Sequence, residues 1–121
     1  MVDRASARLA GERLLFHGAQ AVIVTAGQEG NLLLWDEEER WFPVIPVKRV
    51  DSTGAGDAFA AGIAVGLAEG RSLTEATELA TAAAAWKTTQ LGAQAGLPTR
   101  EQALSLIPHD AERFRRRLEA A

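Results

Sequence analysis

The apolar and polar positions of the first fifty residues change period twice. From about Asp3 to His17, Ala5, Leu9 and Phe16, with Ala10 and Leu14 beside them, recur at helical spacing, while arginines and Glu12 hold the other side. An amphipathic helix is predicted, with Gly18 as its stop. Ala21 to Thr25 is then a short β-branched run without alternation, which predicts a strand covered on both faces, as in an α/β sheet. Gly27-Gln28-Glu29-Gly30 and a second apolar run, Asn31 to Trp35, complete a strand, turn, strand pattern. The acidic stretch Asp36 to Glu39 reads as a turn. Pro43 and Pro46 restrict any strand between Trp41 and Val50 to a broken or edge one.

Helical signals dominate the remainder. A helix beginning near Asp57 bears Ala60, Ala61, Gly62, Ala64 and Gly66, residues so small that another element must pack closely on its backbone; Gly70 ends it. Ser72-Leu73-Thr74-Glu75 has the capping-box form and opens a helix through Ala80, Ala82 and Ala85 towards Lys87. Thr99-Arg100-Glu101-Gln102 repeats the device after Pro98, and Asp110 is placed to cap a last, arginine-rich helix. The predicted order is a helix, a β hairpin, then several helices.

Composition narrows the setting. With 121 residues, 47% of them hydrophobic and 24% charged, the chain can bury one ordinary core, and a single domain is expected. A net charge of -3 gives no attraction to nucleic acid or an anionic membrane, so Arg113, Arg115, Arg116 and Arg117 read as a solvated helix face. Cysteine is absent, which removes disulfides and thiolate metal sites and agrees with a reducing cytoplasm. Neither a signal peptide nor an apolar run of the roughly 20 residues that a membrane helix needs is legible, and a soluble cytoplasmic protein is expected.

The densest chemistry lies in Asp51-Ser52-Thr53-Gly54-Ala55-Gly56-Asp57, followed at once by the apolar Ala58-Phe59-Ala60-Ala61-Gly62. Two glycines let a backbone turn tightly and approach a ligand, and unpaired N–H groups at the start of the following helix would face an anion. Asp57 sits at the same positive helix end, placed to accept a proton from a hydroxyl. Holding charge on a transferred group while accepting that proton is what phosphoryl transfer requires. A plain turn and cap would use the same residue types. Other phosphate motifs do not fit: no Gly-x-x-x-x-Gly-Lys-Ser/Thr is present, and Phe59 stands where a dinucleotide fingerprint wants Gly or Ala.

At these seven positions the chain resembles the PfkB family of carbohydrate kinases, the ribokinase-like kinases, whose signature is Asp-Ser/Thr-Thr-Gly-Ala-Gly-Asp before a small-residue helix. The resemblance implies a ribokinase-like three-layer α/β/α fold, of which residues 1–121 would be the C-terminal portion with an incomplete sheet. It also implies ATP-dependent phosphorylation of a sugar hydroxyl, with Asp57 as base and the amides of Gly54, Ala55 and Gly56 as anion hole. The family's Thr-x-Gly-x-x-Gly segment is present as Thr25-Ala26-Gly27-Gln28-Glu29-Gly30, which assigns Thr25, Gly27 and Gly30 to the nucleotide, although a β turn uses glycine for the same geometric reason. Thr81 on the alanine-rich helix would approach adenine, or bond back to its own helix.

The loop Gln90 to Gly96 is similar to the family's cation loop, so carbonyls of Asp51, Thr53, Gln90 and Gly92 would hold a monovalent cation such as K+. Gly96 stands where ribokinases often carry Ser, which removes one oxygen. Family members are more than twice this long. Their sugar-binding and lid portion and the Asn-x-x-Glu motif linked to Mg2+ and phosphate have no counterpart here. Two readings follow from that departure: a kinase portion that works with a complementary N-terminal chain, or a non-catalytic nucleotide-binding or interaction module. The strand Ala21 to Thr25 would be left with an uncovered edge, which invites pairing with another chain, a homodimer included.

Overall fold

The computed structural model describes residues 3–91 and 98–107, and the chain divides into two compact units, Met1–Val44 and Ile45–Ala121. The first unit holds helix α1 (Arg4–Phe16) and strands β1 (Ala21–Thr25), β2 (Asn31–Trp35) and β3 (Glu38–Phe42). The three strands form one antiparallel sheet in the order β1-β2-β3. The fold is mixed α/β, with a small sheet.

α1 begins where the sequence placed it. Asp3 is the N-cap, its carboxylate accepting from the Ser6 amide at 2.7 Å while the Ser6 hydroxyl accepts from the Asp3 amide at 3.2 Å. That hydrogen bond to the Ser6 backbone holds the Asp3 carboxyl below its usual range. The face, however, differs from expectation. Ala7 and Gly11 are buried, with Leu15 packed beside them against Leu32, Leu34 and Val24, whereas Ala5, Leu9, Ala10, Leu14 and Phe16 are exposed. Gly11 decides the phase, because an added Cβ there would collide with the Leu34 side chain. The helix lies so close to the sheet that its smallest residues, not its largest, must face it.

The sheet corrects two further expectations. β1 has the predicted bounds and, as expected, an uncovered edge, but it is not covered on both faces, since Ala21 and Thr25 are exposed; the strand covered on both faces is β2, whose Leu32, Leu33 and Leu34 are all buried. Glu38 and Glu39 belong to β3, so the turn is confined to Asp36 and Glu37, where Asp36 takes a positive φ of 50°. β3 ends one residue before Pro43, as a proline at a sheet edge requires. Arg8 on α1 clamps Glu39 on β3 with both ends of its guanidinium, the Nη2–Oε2 contact measuring 2.9 Å, and Arg4 stacks 4.6 Å over the Trp41 ring.

The second unit holds α2 (Ala55–Ala68), α3 (Leu73–Thr88) and the short α4 (Arg100–Leu104). Both predicted capping boxes form, Ser72 with Glu75 and Thr99 with Gln102. α2 and α3 pack backbone to backbone: a Cβ added at Gly62 would lie 2.6 Å from Ala80 Cα, and one at Gly66 would lie 2.7 Å from Ala76 Cβ. The close neighbour that the small residues called for is therefore α3. Leu79, Ala82, Ala83, Ala103, Leu104 and Ile107 form the core of this unit. The expected Asp110 cap and arginine-rich helix lie outside the described residues. No helix among those described is long and apolar enough to cross a membrane.

Candidate active site

The signature run begins at an anchored loop. The Thr88 carbonyl, at the C-terminal end of α3, accepts from the amides of Val50 at 2.7 Å and Asp51 at 3.0 Å. Asp51 then folds the chain onto itself, its Oδ1 accepting from the Thr53 amide at 2.9 Å and the Thr53 hydroxyl at 2.6 Å. These contacts fix the turn before the chain reaches Gly54. They were not read from the sequence, although Asp-x-Thr at this spacing is the signal for such a turn.

Gly54 caps α2 in the left-handed conformation, φ 82° and ψ 0°, where a side chain would cost about 1–2 kcal/mol. No side chain caps this helix end. The Ala55 amide is engaged in the turn, donating to the Ser52 carbonyl at 3.1 Å. The amides of Gly54, Gly56 and Asp57 have no acceptor among the described residues. Of the three residues expected to form the anion hole, Gly54 and Gly56 thus carry open donors. The neighbouring Asp57 amide adds a third that the sequence reading did not count.

α2 starts at Ala55, two residues before the sequence placed it, so Asp57 lies in its first turn with its side chain exposed. The helix dipole and the open amides surround it with positive potential. Gly56 is of particular interest. Its φ is not positive, and a Cβ built on it would meet nothing within 4 Å. Neither backbone strain nor packing among the described residues accounts for glycine there.

The second set of candidates lies in the first unit, in the turn from β1 to β2. Thr25 ends β1 and is exposed; Gly27 has φ 56° with open space beside it; Gly30 has φ 95°, and an added Cβ would collide with the Phe42 carbonyl. Gly30 is required by the sheet itself, and Gly27 by its conformation alone. Thr81 is buried, and its hydroxyl donates to the Thr77 carbonyl at 2.8 Å, the back-bonded alternative foreseen for it. Of the cation candidates, the Asp51 amide donates to the Thr88 carbonyl, Thr53 bonds to the Asp51 carboxylate, and the Gln90 amide donates to the Lys87 carbonyl. Gly92 and Gly96 lie outside the described residues. Among those described, no cluster of three His, Cys, Asp or Glu side chains could hold a metal ion.

The model of the pfkB family carbohydrate kinases matches residues 2–100, and the chain belongs to that family. It is 40% identical over 86 residues to ribokinase from Bacillus subtilis, a match covering 71% of this chain and 29% of that enzyme. Among solved structures it is similar to Arabidopsis thaliana ribokinase complexed with ribose and ATP, at 33% identity and TM-score 0.77, covering 86% of this chain and 34% of that one. It is also similar to phosphofructokinase-2 from Escherichia coli in complex with potassium, at 26% identity and TM-score 0.76, covering 87% of this chain and 34% of that one. The chain thus spans about a third of the length of the relatives it matches.

Proposed function

We propose that this chain is the ATP-binding, base-bearing portion of a sugar kinase, the C-terminal part of a three-layer ribokinase-like fold whose sheet is incomplete here. The observation that carries the reading is Gly56, a glycine that neither conformation nor packing demands, between open amides and beside an exposed carboxylate. A backbone bare of side chains is what a phosphate needs in order to reach helix N–H groups.

In this reading Asp57 accepts the proton of the sugar hydroxyl as its oxygen bonds to the γ-phosphorus. The bond from that phosphorus to the β,γ-bridging oxygen breaks, and ADP leaves with the electron pair. The amides of Gly54, Gly56 and Asp57 hold the charge of the transferred group, with Ala55 keeping the turn between them. Mg2+ would be carried mainly by the phosphates, which suits an ion that dehydrates reluctantly and needs no protein cage. Carbonyls of Asp51, Thr53 and Gln90, with Gly92, would take K+, and Thr25, Gly27 and Gly30 would line the nucleotide, with Thr81 left in its back-bonded role. ATP and a small sugar are the partners, and a cytoplasmic setting supplies both.

The share of the relatives' length that the chain covers favours a second reading, a non-catalytic nucleotide-binding module. Positioning supplies most of the rate in phosphoryl transfer, so a chain that does not hold the sugar binds ATP and does no chemistry. Calorimetry with ATP and an ADP-release assay with ribose, fructose and 2-keto-3-deoxygluconate separate the two. Binding with background turnover supports the module. Turnover that appears on adding an N-terminal segment from a family member supports the kinase portion, and no ATP binding under any condition overturns both.

A further inference from the structure

One buried charge has no part in the chemistry proposed for Asp57 and the loop amides. Lys87, in the last turn of α3, is 2% exposed, and among the described residues no fully buried side chain is larger. The carbonyls at the C-terminal end of α3 favour a cation nearby, but a solvent-exposed lysine would serve them equally. An ammonium is strongly hydrated, and replacing a buried charge by an apolar side chain of similar volume often leaves a fold no less stable. The burial of this one calls for a reason.

Helical geometry gives its place. Gly62 meets Ala80 and Gly66 meets Ala76, so α2 and α3 run antiparallel. At about 3.6 residues per turn Lys87 falls between Ala76 and Ala80 in phase, on the stripe of α3 that lies against α2. The step from Ala80 on to Lys87 along α3, taken backwards from Gly62 along α2, ends at Ala55, the first residue of that helix. A separate contact agrees: the carbonyl of Thr88, the next residue, accepts from the amides of Val50 at 2.7 Å and Asp51 at 3.0 Å, which sets the end of α3 beside the start of the signature run. Lys87 is therefore buried where the end of α3 meets the first turn of α2, next to the open amides of Gly54, Gly56 and Asp57.

We infer that Lys87 is a positioning residue for the nucleotide phosphates, a fixed cation set behind the amides of α2 that adds its charge to theirs, an inference that rests on reading that helix end as an ATP site. The ammonium does not touch the ligand. It acts through the α2–α3 interface, where a charge is screened far less than at the surface. Its contribution therefore grows with the charge held at the loop: largest for ATP, smaller for ADP and smallest for AMP, whose single phosphate is, in that reading, the one farthest from the amides.

Lys87→Met nearly keeps the length of the side chain and removes its charge, and Lys87→Arg restores the charge. In calorimetry on the full chain, Lys87→Met is expected to weaken ATP by about tenfold or more, ADP by less and AMP by no more than about twofold, with circular dichroism unchanged and the urea midpoint equal or higher. Lys87→Gln, neutral and polar, should weaken the three nucleotides in the same order, and Lys87→Arg should recover at least part of the ATP affinity. Equal losses for all three nucleotides, or a folded Lys87→Arg chain as weak as Lys87→Met, would make Lys87 a purely structural residue and overturn the inference. So would failure of both neutral variants to fold while Lys87→Arg folds. Unchanged ATP binding in Lys87→Met, with an unmodified chain that binds ATP, overturns this inference alone and leaves the ATP site standing. An unmodified chain that binds no ATP removes the site and the inference with it.

Discussion

The first turn and the middle of α2 use the same residue for opposite reasons. Gly62 and Gly66 are glycines because Ala80 and Ala76 of α3 occupy the space a side chain would need. Gly56, less than two turns earlier, has nothing near it. Glycine inside a helix costs about 0.5–1 kcal/mol relative to alanine, and in the middle of α2 close packing with α3 offsets that cost. At Gly56 no contact with the described residues offsets it. Packing explains the glycines in the middle of the helix, and for the one in its first turn we propose a ligand that reaches the backbone.

The sharpest way to break this contrast is at Asp57. In an assembly that turns over, Asp57→Asn is expected to lower turnover by about 10²–10⁴-fold while nucleotide affinity, measured by calorimetry, stays nearly unchanged. Equal losses in both would remove the base assignment. Next in size, Gly62→Ala should destabilise the fold by about 1–3 kcal/mol in urea unfolding, because the obstructing atom is backbone Cα and cannot swing aside. An unaltered midpoint would show that the two helices are free to separate.

Gly56→Ala tests the other end and should act in two directions. Stability should rise by up to about 1 kcal/mol, while ATP affinity falls at least about tenfold, roughly 1.4 kcal/mol. Unimpaired binding would leave that glycine without a functional account. The smallest effect belongs to Glu39→Gln, where neither close packing nor ligand is involved: about 0.2–1 kcal/mol for a solvent-screened pair. The hydrogen bond from Arg8 holds the Glu39 carboxyl below its usual range and raises the Arg8 pKa. The unfolded state therefore binds the proton first as pH falls. The contribution of the pair is present above the ordinary carboxylate range and lost on descending through the depressed value, and Glu39→Gln should abolish that part of the acid sensitivity.

Local signals fared well wherever the physics is local. Ser72 and Thr99 cap their helices as Glu75 and Gln102 foretold, since each device is complete within four residues, whereas the Asp3–Ser6 cap of α1 was not read from the sequence. The run from Asp51 to Asp57 was legible because its chemistry is written in consecutive residues. Faces and edges were less legible. Leu9 and Phe16 look like the inward stripe of α1 by size, yet the short distance to the sheet selected Ala7 and Gly11. Lys87, a charged residue in the last turn of α3, is 2% exposed, and no pattern around it announced that burial.

The sequence by itself determined which residues cap α3 and α4, where α2 begins to within two residues, and which run carries the family signature, because caps, turns and φ preferences act over a few bonds. Tertiary structure decided the rest. It put β2 at the centre of the sheet, turned α1 on its small face, and chose α3 as the element that packs on Gly62. Those outcomes depend on which surfaces meet and how closely, and separation in space between distant segments is not encoded at any one position.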